Sequence, residues 1–308
     1  MFSIVIPLYN KVNSIDNTLK SVCQQTYADF EIVVVDDGST DNSSEAVRKC
    51  QDSRIRLISK QNGGVCSARN RGIQEARGEY IALLDADDLW NKDYLTEQVK
   101  MIHDFPDAAM WGINFAEVTD GDRLVRRLST GLPDGYRGYV EHYFEMPGRV
   151  SDLFCSSSVV IRKDVFDKVE MFDERIKYAE DDDMWWRIIA TQRVAFYDRY
   201  MVFYQFDAEN RALNRYRHLK DYLPYYVDKY DKPIYKKNQV FWNWINRWSA
   251  QQIRSFYFGD DCVEKQDARV AVKKLDYSVI PSKYRALYCM PFLFGVIFNK
   301  IDHLYHRK

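Results

Sequence analysis

Ile32-Val33-Val34-Val35-Asp36-Asp37-Gly38-Ser39 is a run of four β-branched apolar residues that stops at two carboxylates and a Gly-Ser turn. β-Branched side chains favour the extended backbone. A run that is apolar on both of its faces belongs to a strand covered from both sides. Upstream, Ile4-Val5-Ile6 is a second such run, closed by Pro7, and Ser14 stands where it can cap a helix carrying Ile15, Leu19, Val22 and Cys23 on one face. Downstream, the pattern predicts a helix over 43–50, a strand over 55–58, a helix over 67–76 and a strand over 80–84 that ends at Asp85. Strands alternating with helices in this order predict an α/β fold with a mainly parallel sheet flanked by helices. Ligands of such sheets bind at the carboxyl ends of the strands. The polar residues there are Tyr9-Asn10, Asp36-Asp37 and Asp85-Ala86-Asp87-Asp88, so these strand ends converge on one crevice.

Farther on, a helix is expected over 93–105 and a strand over 108–117. Residues 119–147, with several Gly and Pro, read as long loops over a site. Strand character returns over 153–161, and Glu180 opens a helix running to residue 190. Beyond about residue 207 strand signals fade, and helices are expected over 216–223, 239–258 and 286–304. This divides the chain into a catalytic domain over 1–210 and a helical appendage over 211–308. In the appendage Phe241, Trp244, Ile245 and Trp248 share a helical face suited to packing. Residues 286–298 are strongly apolar and lead to a basic tail. A bilayer span needs about 20 residues, so this segment either lies at a membrane interface or packs back on the protein.

Lys and Arg number 44 against 45 Asp and Glu, a net charge of −1, which lacks the positive excess of a nucleic-acid binder. The six cysteines are scattered without a CxxC pair, so neither a zinc site nor disulfides are expected. The N-terminus runs straight into Ser3-Ile4-Val5-Ile6 without a charged and apolar leader, which leads us to expect a cytoplasmic protein.

Grouped carboxylates repel one another unless a cation lies between them. Asp85 and Asp87 therefore suggest Mn²⁺ or Mg²⁺, hard ions that share their shell with substrate phosphates. The acids could instead simply complement a helix dipole. Of Asp36 and Asp37, one is expected to meet a base or ribose and the other to close an Asx turn. Tyr9, just after Pro7, can stack on a base or pack. Gly63-Gly64 lets backbone approach a ligand, and Arg69 carries a fork suited to phosphate. Glu180-Asp181-Asp182-Asp183 opens a helix whose Asp181, ahead of Asp182, is the candidate general base for transfer to a hydroxyl. Trp185 and Trp186 point to different helix faces, so at most one faces a sugar.

In order and spacing, Ser3 to Asn10, Glu31 to Asp41, Asn62-Gly63-Gly64, Ala68-Arg69-Asn70-Arg71-Gly72, Gly78 to Ile81, Asp85 to Asp88 and Glu180-Asp181 with Trp185 and Arg187 resemble the family 2 glycosyltransferases of the GT-A fold. The resemblance covers about residues 3–190. It implies an inverting enzyme that takes a sugar from a nucleotide-sugar, a UDP-sugar or related donor, to a glycan or lipid-linked acceptor in surface polysaccharide synthesis. It further implies that Pro7, Tyr9, Asp36, Asp37, Arg69 and Asp85 line the nucleotide and that Asp87, with Asp85, serves the metal. Asp181 would be the base, and Glu180 and Trp185 would face the acceptor. The chain departs from the family at Glu170-Met171, where glycines are common. It departs again at Gln205-Phe206-Asp207, where a metal-binding His is expected, which leaves the metal shell incomplete. The strand-one end lacks the glycine-rich loops of nucleotidyltransferases and dinucleotide-binding dehydrogenases. The remaining alternative is a non-catalytic sugar-nucleotide-binding or assembly subunit. The helical appendage suits peripheral contact with the inner face of the membrane.

Overall fold

A computed structural model of the chain describes residues 1–119, 123–127, 131–146, 153–205, 218–258 and 261–289. The first elements alternate as the apolar runs predict: β1 (Phe2–Leu8), α1 (Ile15–Cys23), β2 (Phe30–Asp36), α2 (Ser43–Lys49), β3 (Ile55–Ser59), α3 (Val65–Glu75) and β4 (Tyr80–Leu83). β1 lies between β2 and β4 and is parallel to both, and β3 is parallel to β2. The register pairs Leu8 with Asp36, and Asp37 N–H donates to the Leu8 carbonyl at 2.8 Å, so the ends of β1 and β2 are level.

The alternation within β2 decides which helix covers which face. Ile32 and Val34 join a core with Ile15, Leu19 and Val22 of α1 and Val47 of α2. Val33 and Val35 pack with Ala68 of α3 on the other face. α3 lies directly on β1, because a Cβ added at Gly72 would stand 2.3 Å from a Val5 methyl. Gly64, at φ +89°, turns the chain into α3, which therefore begins two residues earlier than expected. Ser14 occupies the cap position of α1, yet its side chain makes no capping bond.

The rest of the sheet is mixed. β5 (Leu89–Trp90), α4 (Tyr94–Asp104), β6 (Ala108–Thr119), β7 (Arg123–Arg127), β8 (Arg137–Tyr139), β9 (Val159–Arg162), α5 (Val165–Val169), α6 (Glu180–Thr191) and β10 (Arg193–Gln205) complete the first part of the chain. The sheet runs β3-β2-β1-β4-β9-β6-β10-β5, with β7 on β6 and β8 on β10. β9 is antiparallel to both β4 and β6, whereas β10 is parallel to β6. The segment expected as loops thus carries β7, β8 and a 3₁₀ turn over Tyr143–Glu145. The strand expected from residue 153 starts only at Val159. Ser156–Ser158 instead form a 3₁₀ turn, in which Cys155 N–H donates to the Ser158 hydroxyl and Ser158 N–H to the Cys155 carbonyl.

The chain divides into two compact units, Met1–Glu174 with Glu180–Arg215, and Arg175–Ala179 with Tyr216–Lys308. The boundary expected near residue 210 falls in 206–217, outside the described residues. In the second unit, residues expected as a helix over 216–223 include 3₁₀ turns over Leu219–Asp221 and Leu223–Tyr230 from residue 219 onward. They are followed by α7 (Pro233–Lys236), α8 (Gln239–Tyr257), α9 (Cys262–Val272) and α10 (Ser282–Cys289). On α8, Phe241 and Ile245 are buried, while Trp244 and Trp248 are partly exposed and stack on each other at 6.1 Å. Of the apolar segment, residues 286–289 belong to α10 and the remainder lies outside the described residues. No described helix is long and apolar enough to cross a membrane.

Candidate active site

All the candidate residues belong to the first unit, at the carboxyl edge of its parallel strands, in α3 and in the first turns of α6. Tyr9 follows β1 and is 40% exposed, an open ring at the edge of the crevice. Pro7, paired with Val35, is half-buried. The two carboxylates after β2 divide their work. Asp36 Oδ1 accepts Ser39 N–H at 2.9 Å, which is the Asx turn, and its Oδ2 accepts the Ser44 hydroxyl. Asp37 accepts Gly64 N–H at 2.7 Å, Gly63 N–H at 3.0 Å and Lys60 Nζ at 2.6 Å. It is buried, so it organises the glycine loop instead of offering a bare carboxylate.

The turn after β4 is held from several directions. Asp85 N–H donates to Ser157 Oγ at 3.0 Å, and the same hydroxyl donates to Asp88 Oδ2 at 2.5 Å. Asp88 also accepts Gln205 N–H at 3.1 Å from the end of β10. Burial, then the charges of Asp87 and Asp85, push the Asp88 carboxyl well above its ordinary range, against these hydrogen bonds. Asp87 is raised by burial and by Asp85, with Lys11 opposing; Lys11 Nζ sits 2.6 Å from its Oδ2.

Arg69 joins this turn to α6. Its Nη2 donates to Asp85 Oδ1 at 2.9 Å and its Nη1 to Glu180 Oε1 at 3.1 Å, while the guanidinium carbon lies 5.5 Å from the Phe172 ring centre. Burial lowers the proton affinity of this arginine, and the charges of Asp85, Glu180 and Asp181 more than offset it. The fork expected to meet phosphate is therefore already engaged by two carboxylates. Burial and the Asp181 charge push Glu180 up to about 7, with Arg69 opposing. Asp181 is raised by burial and lowered by Arg69; its Oδ1 accepts Asp182 N–H at 2.8 Å. Asp183 is fully buried in an ion pair with Arg187 at 2.8 Å and takes no part in surface chemistry.

Trp185 corrects the sequence expectation. It is 1% exposed and packs edge-on against Phe172, so it has no open face for an acceptor sugar. Trp186 is equally buried. Both rings are buried in the core, although they leave α6 on different faces.

Lys11, Lys60, Ser157 and Gln205 were not anticipated. The lysines carry a signal, since each follows a strand whose end adjoins acidic neighbours. Ser157 and Gln205 carry none, because they meet Asp88 from residues 69 and 117 positions away. Among the described residues no group of three or more His, Cys, Asp or Glu could hold a metal ion. The paired oxygen donors of Asp85 and Asp87 do fit a divalent ion that completes its shell with diphosphate and water. Residues 206–210, where a histidine ligand was sought, lie outside the described residues.

The family model described as Glycosyl transferase family 2 matches residues 3–170. An uncharacterised glycosyltransferase of Rickettsia conorii is 31% identical over 198 residues, which are 64% of this chain and 31% of that protein. The chain thus spans less than a third of that relative's length. The Escherichia coli UDP-Glc:alpha-D-GlcNAc-diphosphoundecaprenol beta-1,3-glucosyltransferase WfgD is 40% identical over 103 residues, 33% of this chain and 41% of that protein. The crystal structure of S. aureus TarS 1–349 in complex with UDP-GlcNAc superposes with a TM-score of 0.77 at 21% identity, covering 96% of this chain and 88% of that one. The α/β architecture, mixed rather than mainly parallel beyond β4, is therefore the GT-A fold with a helical C-terminal region.

Proposed function

The chain belongs to glycosyl transferase family 2, and from that premise we propose that it is an inverting enzyme moving a sugar from a UDP-sugar to a hydroxyl of a glycan or lipid-linked acceptor. The observation that carries this reading is the Arg69 bridge. One buried guanidinium holds the carboxylate turn of the donor side and the first turn of α6 within hydrogen-bond distance of the same side chain. Donor and acceptor chemistry are thereby kept at a fixed separation, which bimolecular transfer requires.

Tyr9 stacks on the base, and Asp37 shapes the glycine loop that approaches the nucleotide. Asp85 and Asp87 would hold Mn²⁺ or Mg²⁺, which when bound neutralises charge on the departing diphosphate. Asp181 takes the acceptor proton as the hydroxyl oxygen attacks the anomeric carbon. The bond from that carbon to the diphosphate oxygen breaks on the opposite face, so the configuration inverts. The raised pKa of Asp181 makes it a stronger base than an exposed aspartate, with Arg69 opposing the rise that burial causes. Glu180, on the same turn, lies toward the acceptor, whereas Trp185 does not reach it.

The lipid-linked acceptor is supported by the diphosphoundecaprenol substrate in the name of the E. coli relative, and the surface-polysaccharide pathway follows from the family resemblance. UDP as the nucleotide is supported by the ligand of the TarS complex. We place the reaction on the cytoplasmic side, with peripheral membrane contact through the C-terminal region. Flotation with anionic liposomes tests that contact, and a chain that stays active yet never floats removes it.

Thermal unfolding with UDP, GDP, TDP or CDP, each with and without Mn²⁺, tests the donor site. A ligand at 100 times its dissociation constant stabilises the fold by about 2.7 kcal/mol. Stabilisation by UDP that needs Mn²⁺ and is lost in Asp87→Ala is the expected result. No stabilisation by any nucleotide would return the chain to a non-catalytic assembly subunit.

A further inference from the structure

Lys11 is held in a way that nucleotide binding alone does not explain. Its Nζ lies 2.6 Å from Asp87 Oδ2, and the two side chains are 13% and 17% exposed. Surface lysine pairs are usually loose, because hydration and side-chain entropy compete with them. This one is fixed from its backbone outward. Lys11 N–H donates to Ser43 Oγ at 2.8 Å, and its carbonyl accepts Ser14 N–H at 3.1 Å and Ile15 N–H at 3.0 Å. Asn10 adopts φ +51°, a left-handed turn that Asn tolerates, while its side-chain oxygen accepts Thr40 N–H at 2.8 Å. Val12 N–H donates to Asp41 Oδ2 at 3.2 Å. The chain on both sides of Lys11 is thus tied to the loop between β2 and α2, and the ammonium is delivered to Asp87 from a fixed stem.

An ammonium at that distance takes up the Asp87 Oδ2 edge that a divalent ion would use, and two cations at one carboxylate edge repel. We propose that Lys11 is a tethered counter-ion which occupies Asp87 in the donor-free protein and releases it only when a nucleotide diphosphate arrives with the divalent cation. Metal and nucleotide then bind as one unit, and the displaced ammonium stays beside the incoming diphosphate as further positive charge. This rests on Asp87 serving the metal and goes beyond it by stating what controls access to that carboxylate.

The test is a Mn²⁺ titration of the full chain, followed by the electron paramagnetic resonance signal of free Mn²⁺, with and without UDP. The wild type should bind Mn²⁺ weakly alone and much more tightly with UDP. Lys11→Met should bind Mn²⁺ without UDP about tenfold more tightly than wild type, which is about 1.4 kcal/mol. By reciprocity it should also lose a matching part of the coupling between Mn²⁺ and UDP. Lys11→Arg should behave as wild type, and adding Asp87→Asn to Lys11→Met should abolish the gain. Equal Mn²⁺ affinity of wild type and Lys11→Met without UDP overturns the counter-ion while leaving the metal site standing. Absence of Mn²⁺ binding to wild type with UDP overturns the metal reading and the counter-ion with it. Should Lys11→Met unfold, Lys11→Gln carries the same comparison.

Discussion

Two four-residue acidic turns, Asp85-Ala86-Asp87-Asp88 after β4 and Glu180-Asp181-Asp182-Asp183 opening α6, each sink one carboxyl out of water. Asp183 meets a full counter-charge, Arg187, one helical turn along the same element, and both are essentially buried. Among the described residues Asp88 has no such partner. It is held by a serine hydroxyl and a backbone N–H, and its affinity for a proton rises accordingly. The difference follows from what comes next in the chain. α6 continues as a helix and brings its i+4 cation back over Asp183, whereas the extended β5 after Asp88 leaves the i+4 residue there, Lys92, exposed. Asp85, Asp87 and Glu180 then meet the cations that reach them across the fold, Arg69 and Lys11. A run of acids is therefore neither all structural nor all chemical, and burial sorts one from the other.

The largest effect expected is in kinetics. Asp181→Asn should lower kcat about 10²–10⁴-fold while leaving the unfolding midpoint unchanged. A parallel fall in stability would place Asp181 with Asp183 among the structural acids. Asp183→Ala should cost about 3–5 kcal/mol in urea unfolding, because it leaves Arg187 charged and buried. By contrast, Asp88→Asn removes the charge, keeps one oxygen to accept Gln205 N–H and can only donate to Ser157 Oγ, and should cost no more than about 1.5 kcal/mol. Equal costs at the two positions would erase the comparison.

The pH dependence sharpens it further. Glu180 holds its proton up to about pH 7 in the folded chain, against about 4.3 when unfolded. Its contribution to stability is therefore full below about pH 4.3 and lost as pH rises through about 7. Urea unfolding across that window should show a falling slope of up to about 1.4 kcal/mol per pH unit, reduced in Glu180→Gln. The smallest effect belongs to Glu170, where Arg187 binds the carbonyls of Val169, Glu170 and Met171. Glu170 sits at φ +69°, ψ 159°, a conformation suited to glycine. Glu170→Gly should raise stability by about 1 kcal/mol, and a loss would mean that the glutamate side chain itself contributes there.

The first four strands were legible because their signals are local. Ile4-Val5-Ile6 and Ile32-Val33-Val34-Val35 are uninterrupted, and the helix between them repeats at helical spacing. β10 was missed. Arg193–Gln205 mixes aromatic and charged residues, and its pairing with β6 shifts register between Tyr197 and Val202, which spoils any alternation. Trp185 was misassigned because helical spacing shows that two tryptophans diverge but not which face the sheet will cover.

By itself the sequence determined that carboxylates stand at the ends of parallel strands and at the start of a later helix, since strand runs and helix openings are written within a few residues. Only the tertiary structure decided which carboxylate is neutralised, buried or left for chemistry. Arg69 reaches Glu180 across 111 positions, Lys11 reaches Asp87 across 76 and Ser157 reaches Asp88 across 69. Apart from the i+4 pair within α6, charge compensation here acts through distance in space, to which position along the chain is no guide.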